Sequence, residues 1–594
     1  MRTQTLAKRQ LVTNAIENKE EMEKLNFENE LILNTKACQA SLVVTPILVN
    51  VAVQTDLSIQ MTATNLKETN HYEDDLSSLS DVEELNELND KSFCSDGLDS
   101  QSDADEEDIV HQNENTKPKG TAFIVYWSCL SLLLNRCLIC PSIASIKKAV
   151  IKGSALCINL FCFNGHHTVW RSQPMAKWYY LGNLKLSASV LFSSNTFRKI
   201  SKYFKVMDIP WVSESRYYRI QNYMFGVTQE AWKEEVTKLD QLSKGPLILS
   251  ADGRCDSPGH NAKYLTYSFH DPNLQKVIAI SLTQVTEVDG ISNNMEKQGM
   301  IKVLDEMKER KKKISQVTTD RHGQIKKYLR EKRSDISHQF DIWHFCKSIL
   351  KKLLKASKKK SCASLAPWIK SICNHFWWAC ATCGGDENVL KEKWTSIIFH
   401  IQNKHLWTGN TVYHKCCHPD LSTEEERSKA WLSPKSDAFQ ALQKIVFDKR
   451  MLNDMRHLTK FSHTGVLEVY HSVLNKWAPK SSHFSFKGMS ARCKLAAIDF
   501  NQNSNLKQAK TKCGDDRYNL VYSKITKTWV AKPIKEKKTL DIFKALADKA
   551  VKAIIEKKEF VKYDNPDIPK NIAPTPKPDK METVSKQRSR FNVD

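Results

Sequence analysis

Nowhere does the chain hold an apolar run long enough to cross a bilayer. The segment that comes nearest, "TAFIVYWSCLSLLL" at residues 121–134, falls short of the roughly 20 residues a membrane helix needs and runs straight into Asn135, Arg136 and a cysteine pair. It reads as a buried strand or helix. Met1 is followed by polar and charged residues instead of an apolar leader, and no segment repeats at solenoid length. Basic residues are almost missing from residues 73–114, which hold sixteen acids and a single lysine. These absences argue against a membrane protein, a secreted protein and a repeat array. They place the 17 cysteines in a reducing compartment, as metal ligands or buried thiols and not as disulfides.

What is present is length and positive charge. The 594 residues suffice for several domains and a large core. Net charge is +22, and because residues 73–114 carry −15, the rest carries +37. A body so basic suits a polyanionic partner, most simply double-stranded DNA, because each neutralised phosphate releases counterions. A merely soluble basic surface is the plainer reading of charge alone. Residues 1–120 are expected to be a disordered acidic region, with too little apolar surface to offset the entropy of ordering. Residues 501–594 read as a basic C-terminal tail, largely disordered, with a lysine-rich amphipathic stretch ending near Lys562 before "NPDIPKNIAPTPKPDK".

Between these ends the chain divides by pattern. Residues 121–175 carry a C-x-x-C pair, Cys137 and Cys140, and a C-x-x-x-H pair, Cys162 and His166. Two such knuckles can give one Zn2+ four tetrahedral ligands and hold together a zinc-ribbon-like module with little core of its own. Cys157 and His167 compete as ligands. Residues 176–243 form a helical segment in which Ser194 or Thr196 can cap a helix with Phe197, Ile200 and Phe204 on one face; it can grip DNA or simply pack.

The region 244–345 raises a sharper question, because carboxylates recur at its strand ends. "LILSADGRCDSPGHNAKY" begins as a buried strand that Asp252 closes, and an Asp-Gly turn is the bland account of one such instance. A hairpin follows, "AKYLTYSFHD" and "KVIAISLTQV" about the turn Asp271-Pro272-Asn273, and then a helix, "NNMEKQGMIKVLDEMKERKKK". The strand "ISQVTTD" ends on Asp320, before the helix "QIKKYLREKR" and the strand "HQFDI". Strand, strand, strand, helix, strand, helix, strand is the order of a ribonuclease H-like α/β core, and parallel first and fourth strands set Asp252 beside Asp320. Such chemistry needs a third acid on a later helix, so that oxygen ligands hold two divalent ions, Mg2+ or Mn2+, against a phosphodiester. Glu468 in "HTGVLEVYHSVLNKWAPK" fits, near a helix N-terminus where the dipole favours a carboxylate; alone it would read as a capping glutamate.

With "TTDRHGQIKKYL", "HQFDIWHFCKSILKKL", "WIKSICNHFWWACATCGGD" and "WRSQP" added, the chain from about 120 to about 500 resembles the DDE transposases of eukaryotic cut-and-paste DNA transposons, most closely the Kolobok-type group. The resemblance implies metal-dependent DNA strand cleavage and transfer at transposon ends, with Asp252, Asp320 and Glu468 as the acids that hold the metal. It implies a nuclear protein that works as a homo-oligomer on DNA, with no membrane and no small-molecule substrate. It also implies a helical insertion, 346–455, before the core helix at 456–500, and a D-x-x-H pair, Asp341 and His344, in the catalytic set. Taken without the resemblance, Asp341 caps a helix or holds the His344 tautomer. Within the insertion Trp368, Trp377, Trp378, Trp394 and Trp407 read mostly as core, the lysines of "KSILKKLLKASKKKS" as phosphate ligands, and Cys380, Cys383, Cys416, Cys417 and His418 as material for a second zinc site. Many relatives begin with a THAP-type zinc finger, yet the first 120 residues hold only Cys38 and Cys94. A transposase-derived DNA-binding or chromatin protein without catalysis is therefore the rival reading.

Overall fold

The structure, a computed structural model, describes residues 122–258, 261–511, 513–523, 528–560 and 576–587. The region 1–120, expected to be disordered, and its acidic tract lie outside them. The described chain forms two bodies, one running to Asp341 and resuming at His463, the other spanning Ile342–Ser462. No described helix is long and apolar enough to cross a membrane.

The larger body opens on helix α1 (Trp127–Leu133). This stretch was expected to be buried, yet none of its helical residues is, and Phe123, Ile124, Tyr126 and Trp127 are exposed. A module this small lacks the surface to wrap it. An antiparallel sheet follows, β1 (Ala144–Lys152), β2 (Ala155–Cys162) and β3 (His167–Arg171), in that order. Gly153, at φ +68°, turns β1 into β2 in a conformation that glycine adopts without strain. After the short β4 (Met175–Ala176) and β5 (Tyr179–Tyr180) come the helices α2 (Leu181–Phe192), α3 (Phe197–Val206) and α4 (Glu214–Leu242). Asn183 of α2 closes over the Gly153 turn, donating to Lys152 O at 2.8 Å and accepting from Ser154 N at 2.8 Å. Of the two candidate caps for α3, Thr196 serves, accepting from Lys199 N.

The central sheet contains β6 (Leu247–Cys255), β7 (Tyr264–Asp271), β8 (Lys276–Gln284), β9 (Ile314–Thr319) and β10 (Ser337–Phe340), with α5 (Met295–Glu309) before β9 and α6 (Gly323–Lys332) after it. Its order is β10-β9-β6-β7-β8, with β6, β9 and β10 parallel and β7 antiparallel to both neighbours. The expected element sequence holds throughout. One detail differs: β6 does not end at Asp252. It stays paired with β7 as far as Cys255↔Leu265, while its pairing with β9 stops at Ser250↔Thr318. The fully buried β7 carries β6 onward, so Asp252 marks where β6 loses its parallel neighbour, and the Asp-Gly pair lies in extended strand.

The second body is helical, as expected of the insertion: α7 (Ile342–Ser357), α8 (Ile369–Thr382), α9 (Glu387–Thr395), α10 (Ile397–His400), α11 (Thr423–Ser428), α12 (Asp437–Val446) and α13 (Lys449–Asp454). Trp368, Trp378, Trp394 and Trp407 are buried in it, and Trp377 is half-buried. The larger body resumes with α14 (Gly465–Trp477), α15 (Phe486–Asn503), the hairpin β11 (Tyr518–Ser523) and β12 (Thr528–Pro533), and α16 (Asp541–Glu556). The tail expected to be largely disordered from 501 therefore contains ordered elements. Phe543, Leu546, Ala547, Ala550 and Ile554 recur at helical spacing and join the core.

Helices cover both faces of the central sheet. Leu249, Ala251, Tyr267, Phe269 and Val317 pack with Met300, Val303 and Leu304 of α5 and with Ile325 and Leu329 of α6. Tyr264 and Val277 face α4, α14 and α15. At the edge, Asn501 of α15 donates to Val277 O and accepts from Val277 N, which satisfies backbone that would otherwise invite another strand.

Directly after β10, Asp341 is buried and its Oδ2 accepts from Thr464 N at 2.5 Å and Thr464 Oγ1 at 2.7 Å. It thereby fixes the start of α14. Asp341→Ala would strip a charged acceptor from two buried donors, so chemical denaturation should show a loss of about 2–3 kcal/mol. A loss below about 0.5 kcal/mol would mean that α14 is held by packing alone.

Candidate functional site

The β6–β9 pairing ends at Ser250↔Thr318; Asp252 lies two residues further along β6 and Asp320 directly after β9, and the charges of both reach the buried Tyr267. Helix α14 then runs beside β6 in the same direction. His463 O accepts from Ser250 Oγ at 3.2 Å, His471 Nδ1 lies 3.5 Å from Asp252 Oδ2, and Asn475 Oδ1 accepts from Arg254 Nε at 3.0 Å. Glu468 sits in the first turn of α14, three residues before His471 and on the same face. Asp252, Asp320 and Glu468 are thus carried by elements that neighbour one another at one corner of the sheet, Asp252 on β6, Asp320 directly after β9 and Glu468 on α14. Of the D-x-x-H pair, Asp341 holds Thr464, so it positions the helix that carries Glu468, whereas His344 belongs to the other body, in the first turn of α7, edge-on to Trp343.

Two residues at this corner were not singled out in the sequence. Glu296, in the first turn of α5, is three-quarters buried, and burial first, then the charge of Asp320, pushes its carboxyl up to about 7. It also lies 3.9 Å from His322 Nε2. Gly253 explains how it fits, because a Cβ there would come within 3.2 Å of Glu296 Cγ. The glycine after Asp252 makes room for a fourth carboxylate. His471 is the second: burial, with Arg254 and Lys480 nearby, pushes its imidazole down to about 3, so it stands neutral beside Asp252. Its spacing from Glu468 was a usable signal; Glu296 had none without the fold.

Fully buried Tyr267 has its phenol raised by burial and by the charges of Glu296, Asp252 and Asp320, in that order. Next to the acids a cleft of about 300 Å³ is lined by Gly253, Arg254, Cys255, His471, Asn475 and Lys480. Arg254 is buried, and its Nη2 donates to Ala478 O at 2.6 Å. Asp256, by contrast, closes the β6–β7 connection by accepting from Lys263 N and Tyr264 N. Its substitution therefore carries a structural cost that its place in the sequence did not suggest.

In the 121–175 module Cys137, Cys140, Cys162 and His166 bring their ligand atoms within 4.8 Å of one another and could hold a metal ion. Cys140 Sγ is 3.9 Å from Cys162 Sγ, and His166 Nδ1 lies 3.5 Å from Cys162 Sγ and 3.9 Å from Cys137 Sγ. Backbone and side-chain hydrogen bonds from Ser142 lower the Cys140 thiol to about 6, which favours the thiolate a metal needs. The competing residues are engaged elsewhere, Cys157 Sγ at 2.9 Å from Tyr180 Oη and His167 stacked on Phe161.

No protein-family model matches the chain, and no curated protein is significantly similar to it.

Glu296 yields a pH test in the presence of chelator. A carboxyl raised from 4.5 to about 7 stabilises the fold fully below pH 4.5 and loses that contribution as pH rises through 7. Stability should fall between about pH 5 and pH 8, and Glu296→Gln should flatten the fall by about 3 kcal/mol. Parallel profiles for wild type and variant would mean that Glu296 is solvated.

Proposed function

We propose that the larger body is a ribonuclease H-like core and that the protein is a DDE-type transposase, cleaving and joining double-stranded DNA with Mg2+ or Mn2+ at Asp252, Asp320 and Glu468. What supports this reading is that β6 and β9, which carry or precede Asp252 and Asp320, are parallel neighbours and that α14, which carries Glu468 in its first turn, passes alongside β6. The strand order β10-β9-β6-β7-β8, with a parallel trio and an antiparallel hairpin, supports the fold assignment. The donor set fits hard divalent ions: every proposed ligand is a carboxylate oxygen, and beside Glu296, pushed up first by burial and then by the charge of Asp320, a cation would be favoured. Bound divalent ions would polarise the scissile phosphate and activate the attacking hydroxyl. The protein's own part is to hold the carboxylates on rigid elements, with α14 anchored by Asp341 and a neutral His471 beside Asp252. The basic surface would bind the DNA backbone, with the protein acting as a nuclear homo-oligomer.

In the 121–175 module the ion that fits is zinc. Tetrahedral Zn–S and Zn–N bonds put two sulfurs about 3.8 Å apart and a sulfur and a nitrogen about 3.5 Å apart, close to the separations among Cys140, Cys162 and His166. Replacing Cys140 with serine should cost the purified protein one zinc per chain and lower its melting temperature. Unchanged zinc content would sink this assignment.

The catalytic reading is tested on duplex DNA carrying the flanking inverted repeats. Asp252→Asn, Asp320→Asn and Glu468→Gln should each lower Mg2+-dependent nicking by more than about 100-fold while duplex binding survives. Wild-type protein that binds such DNA with steep salt dependence but never nicks it would favour the non-catalytic DNA-binding reading.

A further inference from the structure

We propose a second zinc site in the helical body, formed by His400, His405, Cys416 and His418. Their ligand atoms lie within 4.8 Å of one another. The set differs from the one suggested by cysteine spacing. Cys383 Sγ is turned to Cys380 O at 3.3 Å and Thr459 O at 3.5 Å inside the core, and Cys417 is exposed.

The local fold explains how these residues meet. His400 closes α10, and the chain then doubles back through a small hairpin pinned by the bridge Leu406↔Lys415, with Trp407 N donating to His414 O and Cys416 N to His405 O, both at 2.9 Å. That hairpin returns Cys416 and His418 to the end of α10. His400 Nδ1 lies 3.4 Å from Cys416 Sγ, close to the roughly 3.5 Å that nitrogen and sulfur keep around tetrahedral zinc. The ring centroids of His405 and His418 are 4.8 Å apart, and each is about as far from His400, at 5.1 and 5.2 Å.

The tautomers agree with this. His405 places Nε2 at 2.9 Å from Asn403 Oδ1, and His418 places Nδ1 at 2.7 Å from Pro419 O. The opposite nitrogens, His405 Nδ1 and His418 Nε2, are buried without a hydrogen-bond partner. Metal-binding histidines characteristically donate one ring N–H to a carbonyl and turn the other nitrogen to the metal. Burying two imidazole acceptors without partners is otherwise costly. Trp431 lies 6.0 Å from His400 and 5.9 Å from His405, centroid to centroid, and helps to close the site off. Three imidazoles and one thiolate, with no position left for water, suit a structural zinc. Its role would be to tie down the stretch between α10 and α12, in which the only helix is the six-residue α11.

Metal analysis of the full-length protein, purified and desalted after zinc saturation, tests this. Wild type should retain two zinc ions per chain, and Cys416→Ser combined with His418→Asn should retain one. The Cys137→Ser, Cys140→Ser pair, which empties the other module, should also retain one. Cobalt substitution covers the case in which a variant misfolds. Cobalt left in the Cys137→Ser, Cys140→Ser protein should show thiolate charge-transfer absorption about one-third as strong as in the Cys416→Ser, His418→Asn protein, reflecting one sulfur against three. Wild type that holds no more than one zinc, or a folded Cys137→Ser, Cys140→Ser protein that holds none, would overturn the proposal.

Discussion

The parallel pairing of β6 with β9 is the constraint on which the rest depends. It is held by Leu247, Leu249, Ile314 and Val317, all buried in one core, with a shift in register between Leu247 and Ile248 that lets both the Leu247↔Ile314 and the Leu249↔Val317 pairs stay buried. That pairing, chosen by the core, leaves Asp252 and Asp320 just past the end of the parallel run, where the charges of both act on the buried Tyr267. The core thus accepts an electrostatic cost, to which Glu296 adds. Such a cost is tolerable because apolar burial over a whole sheet greatly exceeds the repulsion of a few partly solvated carboxylates.

The order of elements was legible because it depends on local pattern. Alternation marks the strands, helical spacing marks α14, and an acid after an apolar run is visible without a fold. What could not be read depends on chain segments distant in sequence. Asp252 looked like a strand end because the partner that extends β6, the buried β7, lies beyond an intervening loop. Glu296 looked like any acid at a helix start, and what sets it apart is Gly253 across the gap, more than forty residues away. His400 and His405 have no knuckle spacing, and only the Leu406↔Lys415 bridge brings them to Cys416 and His418. Helix α16 was legible as a lysine-rich amphipathic stretch, but that composition placed it in a tail and not in the core.

Asp341 shows how a conspicuous motif can divide its labour. Its carboxylate accepts from Thr464, and that bond sets where α14 begins, the helix that carries Glu468. A residue of this kind affects the site through geometry, and its loss would blur the site before unfolding it.

The same bond joins residues 123 positions apart. Everything between them is a closed loop in the polymer sense, and the entropy of closing such a loop grows only logarithmically, about 0.6 kcal/mol for each doubling of length. Once Asp341 and Thr464 meet, the excursion between them can lengthen, shorten or acquire its own metal-held folds at little thermodynamic cost to the body it leaves. The acid on α14 keeps its address whatever the loop becomes.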